Sequence, residues 1–81
     1  MNCKLSKRNE NCGIRTKEVI GQCQDIPKIG STFFMQAEPL SELGSFRIIE
    51  TSKVTSIRGE PIFGMEFTTE SGSEYHFEIV V

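Results

Sequence analysis

The chain has one histidine, no pair of cysteines in a C-x-x-C arrangement and no glycine-rich phosphate loop, so several common routes to chemistry lack their usual parts. A serine or cysteine nucleophile needs a histidine that a third group orients. Alternation puts His76 on the outward face of a strand between Glu74 and Glu78, where Ser71 or Ser73 could approach it only around a turn. Cys3, Cys12, Cys23 and His76 are zinc-ligand types, but zinc modules bring ligands in close pairs and these are scattered. The expectation is a protein that is not an enzyme and uses no metal and no cofactor.

Long apolar runs are also missing. No segment approaches the roughly 18 residues that a membrane span needs, and the first residues lack the apolar segment of a signal peptide. A cytoplasmic protein is expected, with its three cysteines as free thiols. A Cys3–Cys12 or Cys12–Cys23 bridge could form on oxidation and would carry no function. There is no internal repeat and no stretch with the period of a long helix.

What is present describes one small domain. At 81 residues a second independent core is excluded, and a core of this size supplies only about 3–5 kcal/mol unless self-association or a disulfide adds to it. The apolar share of 37%, the charged share of 25% and six phenylalanines are those of a folded chain. The formal charge of −2 hides an asymmetry: residues 1–30 carry six basic side chains against three acidic, and the remainder three basic against eight glutamates. This reads as a basic arm attracted to an acidic body, within one chain or between copies.

Residues 1–13 are polar with hardly a periodic apolar position, and are expected to be a flexible basic arm; residues 14–81 are expected to be the barrel domain. Residues 14–20 suit a short strand or a helical turn equally, ended by Gly21 and Pro27. Residues 31–37, Ser-Thr-Phe-Phe-Met-Gln-Ala, lie between Gly30 and Pro39 and read as a strand. Residues 40–44 make a helical turn or loop. Residues 45–57 form a strand longer than the usual five or six or so, with Phe46 and Ile48 inward. Strict alternation would then bury Glu50 and Ser52, so a bulge near Thr51, Ser52 and Lys53 is expected to bring Val54 back to the core.

Arg58, Gly59, Glu60 and Pro61 read as a turn. The clearest signal is the final hairpin. Phe63, Met65, Phe67 and Thr69 share one face, the chain turns at Gly72, and Tyr75, Phe77, Ile79 and Val81 share the matching face. The whole predicts an all-β fold, a small SH3-like or OB-like barrel of about five antiparallel strands with a flexible amino-terminal arm.

Two surfaces are candidates for binding. The hydroxyls of Thr51, Ser52, Thr69 and Ser71, with Arg47 and Tyr75, would line one barrel end and offer donors to a phosphate, a nucleotide or a peptide backbone. Thr in strands and Ser in turns, with Arg47 paired to Glu66 or Glu78, explain the same residues structurally. Glu66, Glu74 and Glu78 form an acidic outward face that would steer a basic partner, or simply be solvated. Phe33, Phe34, Phe46, Phe63 and Phe67 could stack the bases of a single-stranded nucleic acid, although the acidic body would repel its backbone.

The run Arg47-Ile48-Ile49-Glu50-Thr51-Ser52-Lys53-Val54, followed by Phe67-Thr68-Thr69-Glu70-Ser71-Gly72-Ser73-Glu74-Tyr75, resembles small uncharacterised proteins of phages and other mobile elements. The likeness covers about the last 50 residues. It implies a small β-barrel of mobile-element origin and brings no agreed activity. The functional expectation is a non-enzymatic module that binds a protein partner or small ligand, with single-stranded nucleic-acid binding as the alternative and a small metal-binding or hydrolytic protein as the remote one.

Overall fold

The computed structural model describes residues 1–12, 14, 16–38 and 47–80. Six strands, β1 (Asn2–Lys7), β2 (Glu18–Gln22), β3 (Thr32–Ala37), β4 (Arg47–Glu60), β5 (Gly64–Thr69) and β6 (Glu74–Ile79), form a closed antiparallel barrel. Each strand pairs with its neighbours in sequence and β1 pairs with β6, a plain meander rather than the Greek key of an OB barrel. Closure leaves this small sheet without a free first or last strand.

The expected flexible arm is corrected by β1. Residues 2–7 pair with β2 from Asn2 to Ser6 and with β6 from Cys3 to Lys7, and Cys3 and Leu5 are fully buried. Lys4 lies on the opposite, partly exposed face. The strand exists because two neighbours supply its ladders and because its two apolar side chains, two residues apart, point into the barrel. β2 likewise runs through Gly21 instead of stopping there. A side chain at Gly21 would collide with the carbonyl of Gln36, so glycine is what allows β2 and β3 to approach.

β3 is the expected strand, with Phe33, Met35 and Ala37 inward and Phe34 outward. β4 carries the expected bulge, on the opposite face from the one anticipated. Thr32 pairs with Lys53 and Phe34 with Glu50, so Thr51 and Ser52 together oppose Phe33. Thr51 Oγ1 accepts the Phe33 N–H at 3.0 Å and donates to the Ser52 carbonyl at 2.7 Å, filling the gap in the ladder. Inward positions before the bulge are Arg47, Ile49 and Thr51, while Ile48 is exposed; Val54 then re-enters the core. A second shift falls at Thr55, whose hydroxyl donates to the Thr68 carbonyl at 3.2 Å. The two irregularities let one long strand pair first with β3 and then with β5.

The carboxy-terminal hairpin is as read: Met65, Phe67, Thr69, Tyr75 and Phe77 are buried and Gly72 turns with φ +89°. Phe67 stacks on Tyr75 at 5.2 Å, and Phe33 meets Phe67 and Phe77 at 5.7 and 5.3 Å, which makes these rings the centre of the core. Phe63 is a correction, since it is 86% exposed. β4 continues through Arg58, Gly59 and Glu60, which displaces the expected turn to residues 61–63. The expectations for residues 40–44, Phe46 and Val81 lie outside the described residues.

Candidate functional site

The outer wall of β4, β5 and β6 is where charge, apolar exposure and concavity meet. Glu66 projects from the middle of β5. The Arg58 guanidinium, directly opposite on β4, donates to its Oε2 at 2.9 Å, and Arg8, just beyond β1, approaches Oε1 at 3.7 Å. Around this carboxylate lie two clefts. One of about 280 Å³ is bounded by Arg8, Arg58 and Glu74 over a floor of Phe67 and Tyr75. The other, of about 370 Å³, is bounded by Arg58, Gly59, Gly64 and His76.

The second cleft leads to the β4–β5 tip. Gly59 has φ +85°, and a Cβ there would collide with the Gly64 carbonyl, so the hairpin narrows to its turn only because residue 59 is glycine. The Ile79 N–H donates to the Pro61 carbonyl at 3.0 Å and ties the tip to the end of β6. Ile62 and Phe63, 70% and 86% exposed, stand on this anchored turn.

Arg8 is placed by a second set of bonds. Its N–H donates to the Glu74 carbonyl at 2.8 Å. The amides of Asn9 and Asn11 donate to the carbonyls of Gly72 and Ser71 at 3.0 and 2.8 Å. The Cys12 thiol donates to the Glu74 carbonyl at 3.0 Å. These bonds fasten the segment after β1 onto the β5–β6 turn.

Of the expected hydroxyl group, Ser52, Thr69 and Ser71 do come together. Ser52 Oγ donates to Ser71 Oγ at 3.0 Å, and Ser71 Oγ lies 3.2 Å from Thr69 Oγ1 and 3.3 Å from Ser73 Oγ. The Ser71 N–H donates back to Ser52 Oγ at 3.1 Å, and Ser73 donates to the Asn11 carbonyl. Thr51 is buried at the bulge and Tyr75 is buried against Phe67, with its edge in the 280 Å³ cleft. Arg47 is not part of the group. It pairs with Ala37 at the far end of the β3–β4 ladder, about 16 Å of strand from Ser52. Its half-buried side chain has Nε without a hydrogen-bond partner among the described residues.

Two of the three carboxylates of the acidic face, Glu66 and Glu78, are held by cations of the same chain. Glu66 is shared by Arg8 and Arg58. Glu78 receives Lys4 at 2.8 Å, with Glu18 a further 4.0 Å neighbour of that amine. The hydrogen bond between them raises Lys4 above its usual pKa and lowers Glu78 below the usual carboxylate range. Arg47 therefore does not pair with Glu66 or Glu78, whose partners come from β4, β1 and the segment after β1. Cys3 and Cys23 face the core while His76 points outward over Gly64.

The site residues the sequence reading missed are Arg8, Arg58 and Ile62, while Phe63 entered it only as a core or base-stacking aromatic. The signal for the first lay in Asn9 and Asn11, residues that suit a pinned turn better than a loose arm. Comparison with protein-family models, with curated proteins and with solved structures gives no match.

Proposed function

We propose that the chain is a non-enzymatic module that captures a protein partner through the β4–β5 hairpin, with Phe63 as apolar anchor and Arg58 and Arg8 as polar rim. The observation that carries this reading is the 86% exposure of a phenylalanine on a turn that backbone bonds hold in place. Phe63 shares the turn with exposed Ile62, and Arg58 lies further along the same hairpin; aromatic and arginine side chains are enriched at interface hot spots. The two clefts on either side of Glu66, about 280 and 370 Å³, are near or below the lower limit of the roughly 300–1,000 Å³ range of small-molecule sites, which favours a protein over a metabolite. The resemblance to small phage and mobile-element proteins is in keeping with an accessory module of the cytoplasm.

The hydroxyls and His76 support binding rather than hydrolysis. Ser73, just before β6, is buried while His76 lies on the outward face of β6, and Ser71 shares its hydrogen bonds with Ser52, Thr69 and Ser73. A second reading, single-stranded nucleic-acid binding, is favoured by the exposure of Phe34 as well as Phe63. Against it stand Lys4 and Arg8, cations already engaged by carboxylates of the same chain.

Affinity capture from host lysate with the wild-type chain and with Phe63→Ser, alongside titration of a fluorescent oligonucleotide at two salt concentrations, separates the readings. A protein retained by the wild type and lost with Phe63→Ser is the expected result. Oligonucleotide binding that weakens steeply with salt, with no protein lost on substitution, would replace it by the second reading.

A further inference from the structure

The barrel wall holds two thiols that neither the clefts nor the hairpin use. Cys3 on β1 and Cys23, immediately after β2, are 0% and 4% exposed. Met1 and Cys23 stand opposite each other and exchange both backbone bonds, Met1 N to Cys23 O at 2.9 Å and Cys23 N to Met1 O at 3.0 Å. Cys3 stands opposite Gly21. The two cysteines are thus diagonal neighbours on one face, and the residue facing Cys3 has no side chain to separate them. Burial first, and Cys23 beside it second, push the Cys3 thiol up to about 12. Cys12 is elsewhere, under Asn9 and Glu74.

We propose that Cys3 and Cys23 are the redox pair of this protein and that a disulfide oxidant joins them into a staple between β1 and the end of β2. The sequence predicts free thiols, and the two bridges it allows on oxidation each involve Cys12. With glutathione disulfide the balance closes. The Cys23 thiolate attacks one glutathione sulfur and releases one glutathione thiolate. The Cys3 thiolate then attacks Cys23 Sγ in the mixed disulfide and releases the second. Two protein thiols lose two electrons and two protons, and one glutathione disulfide becomes two glutathiones. The first attack falls to Cys23 because Cys3 is fully buried and its ionisation is suppressed; exchange therefore waits for the Met1–Cys23 end of the barrel to open.

The closed loop contains Arg8, Asn9 and Asn11, so the staple also limits the freedom of the segment that borders the 280 Å³ cleft. In a domain this small, constraining a loop of that length in the unfolded chain is a large stabilisation.

The test uses the full chain with Cys12→Ser, which leaves the pair untouched, equilibrated with excess glutathione disulfide. The expected result is a loss of the mass of two hydrogens, a Cys3–Cys23 linked peptide after digestion, and a melting temperature higher by about 10 °C that dithiothreitol reverses. Cys3→Ala and Cys23→Ala should each show no such shift under the same oxidant. Two thiols that remain free at equilibrium, a wild-type bridge to Cys12 instead, or a linked pair that melts no higher than the reduced protein would each overturn the proposal.

Discussion

Lys4 and Glu78 stand directly opposite each other on β1 and β6, with Nζ 2.8 Å from Oε1, at the pairing that closes the barrel. Glu78 is lowered by the hydrogen bond from Lys4, so its contribution is present above the usual carboxylate pKa of about 4.3 and is lost as pH falls through the lowered value. Lys4 is raised by the same bond, so its contribution is present below about pH 10.4 and is lost as pH rises through the raised value. The pair therefore acts between about pH 5 and pH 10. Water reaches both side chains, so the effect is small. Thermal melts of Glu78→Gln across this range should show a folded protein whose stability falls less on acidification than that of the wild type.

If β1 is a wall of the barrel, Leu5→Ala should cost about 2–5 kcal/mol, because Leu5 is fully buried opposite Phe77. Urea denaturation measures it. An unchanged midpoint would restore the flexible arm.

Phe67 and Phe63 should behave oppositely despite their spacing. Phe67 is 2% exposed between Phe33 and Tyr75, and Phe67→Ala should cost about 3–5 kcal/mol, enough to unfold most of so small a domain. Phe63→Ala should stay within about 0.5 kcal/mol of the wild type. Circular dichroism melts of the two variants decide this directly.

The bulge in β4 depends on one hydroxyl. Thr51→Val keeps the shape of the side chain but leaves the Phe33 N–H without its acceptor in the barrel wall, at a cost of about 1–3 kcal/mol. Faster exchange of the Phe33 amide hydrogen in the variant would locate the loss.

These residues also show what could be read before the structure. β5 and β6 were legible because each places large apolar side chains at period two, a pattern that only one face of a sheet can bury, and β3 because its aromatic and β-branched residues lie between Gly30 and Pro39. The bulge was legible because Glu50 inside the barrel is too costly. Its face was misread because Ile48 and Ile49 are equally apolar, and the choice between them is made by the pairing with β3. β1 was hidden for a different reason: Cys3 and Leu5 are too few to mark a strand, which forms because β2 and β6 supply partners. Phe63 extended a period-two run by one pair past Gly64, whose φ of +115° begins the strand after it. At the site, Glu66 and Glu74 were visible as an outward set, but Arg8 meets Glu66 only after the barrel closes across most of the chain.

The central claim is that an anchored Phe63 is the partner-binding residue. The most direct measurement is the affinity of the captured partner, by isothermal titration calorimetry, for the wild type, Phe63→Ser and Phe34→Ser, each first shown to melt cooperatively. The account predicts a loss of tenfold or more, about 1.4 kcal/mol or greater, for Phe63→Ser and an unchanged affinity for Phe34→Ser. Equal affinity for all three, or a loss confined to Phe34→Ser, would contradict it.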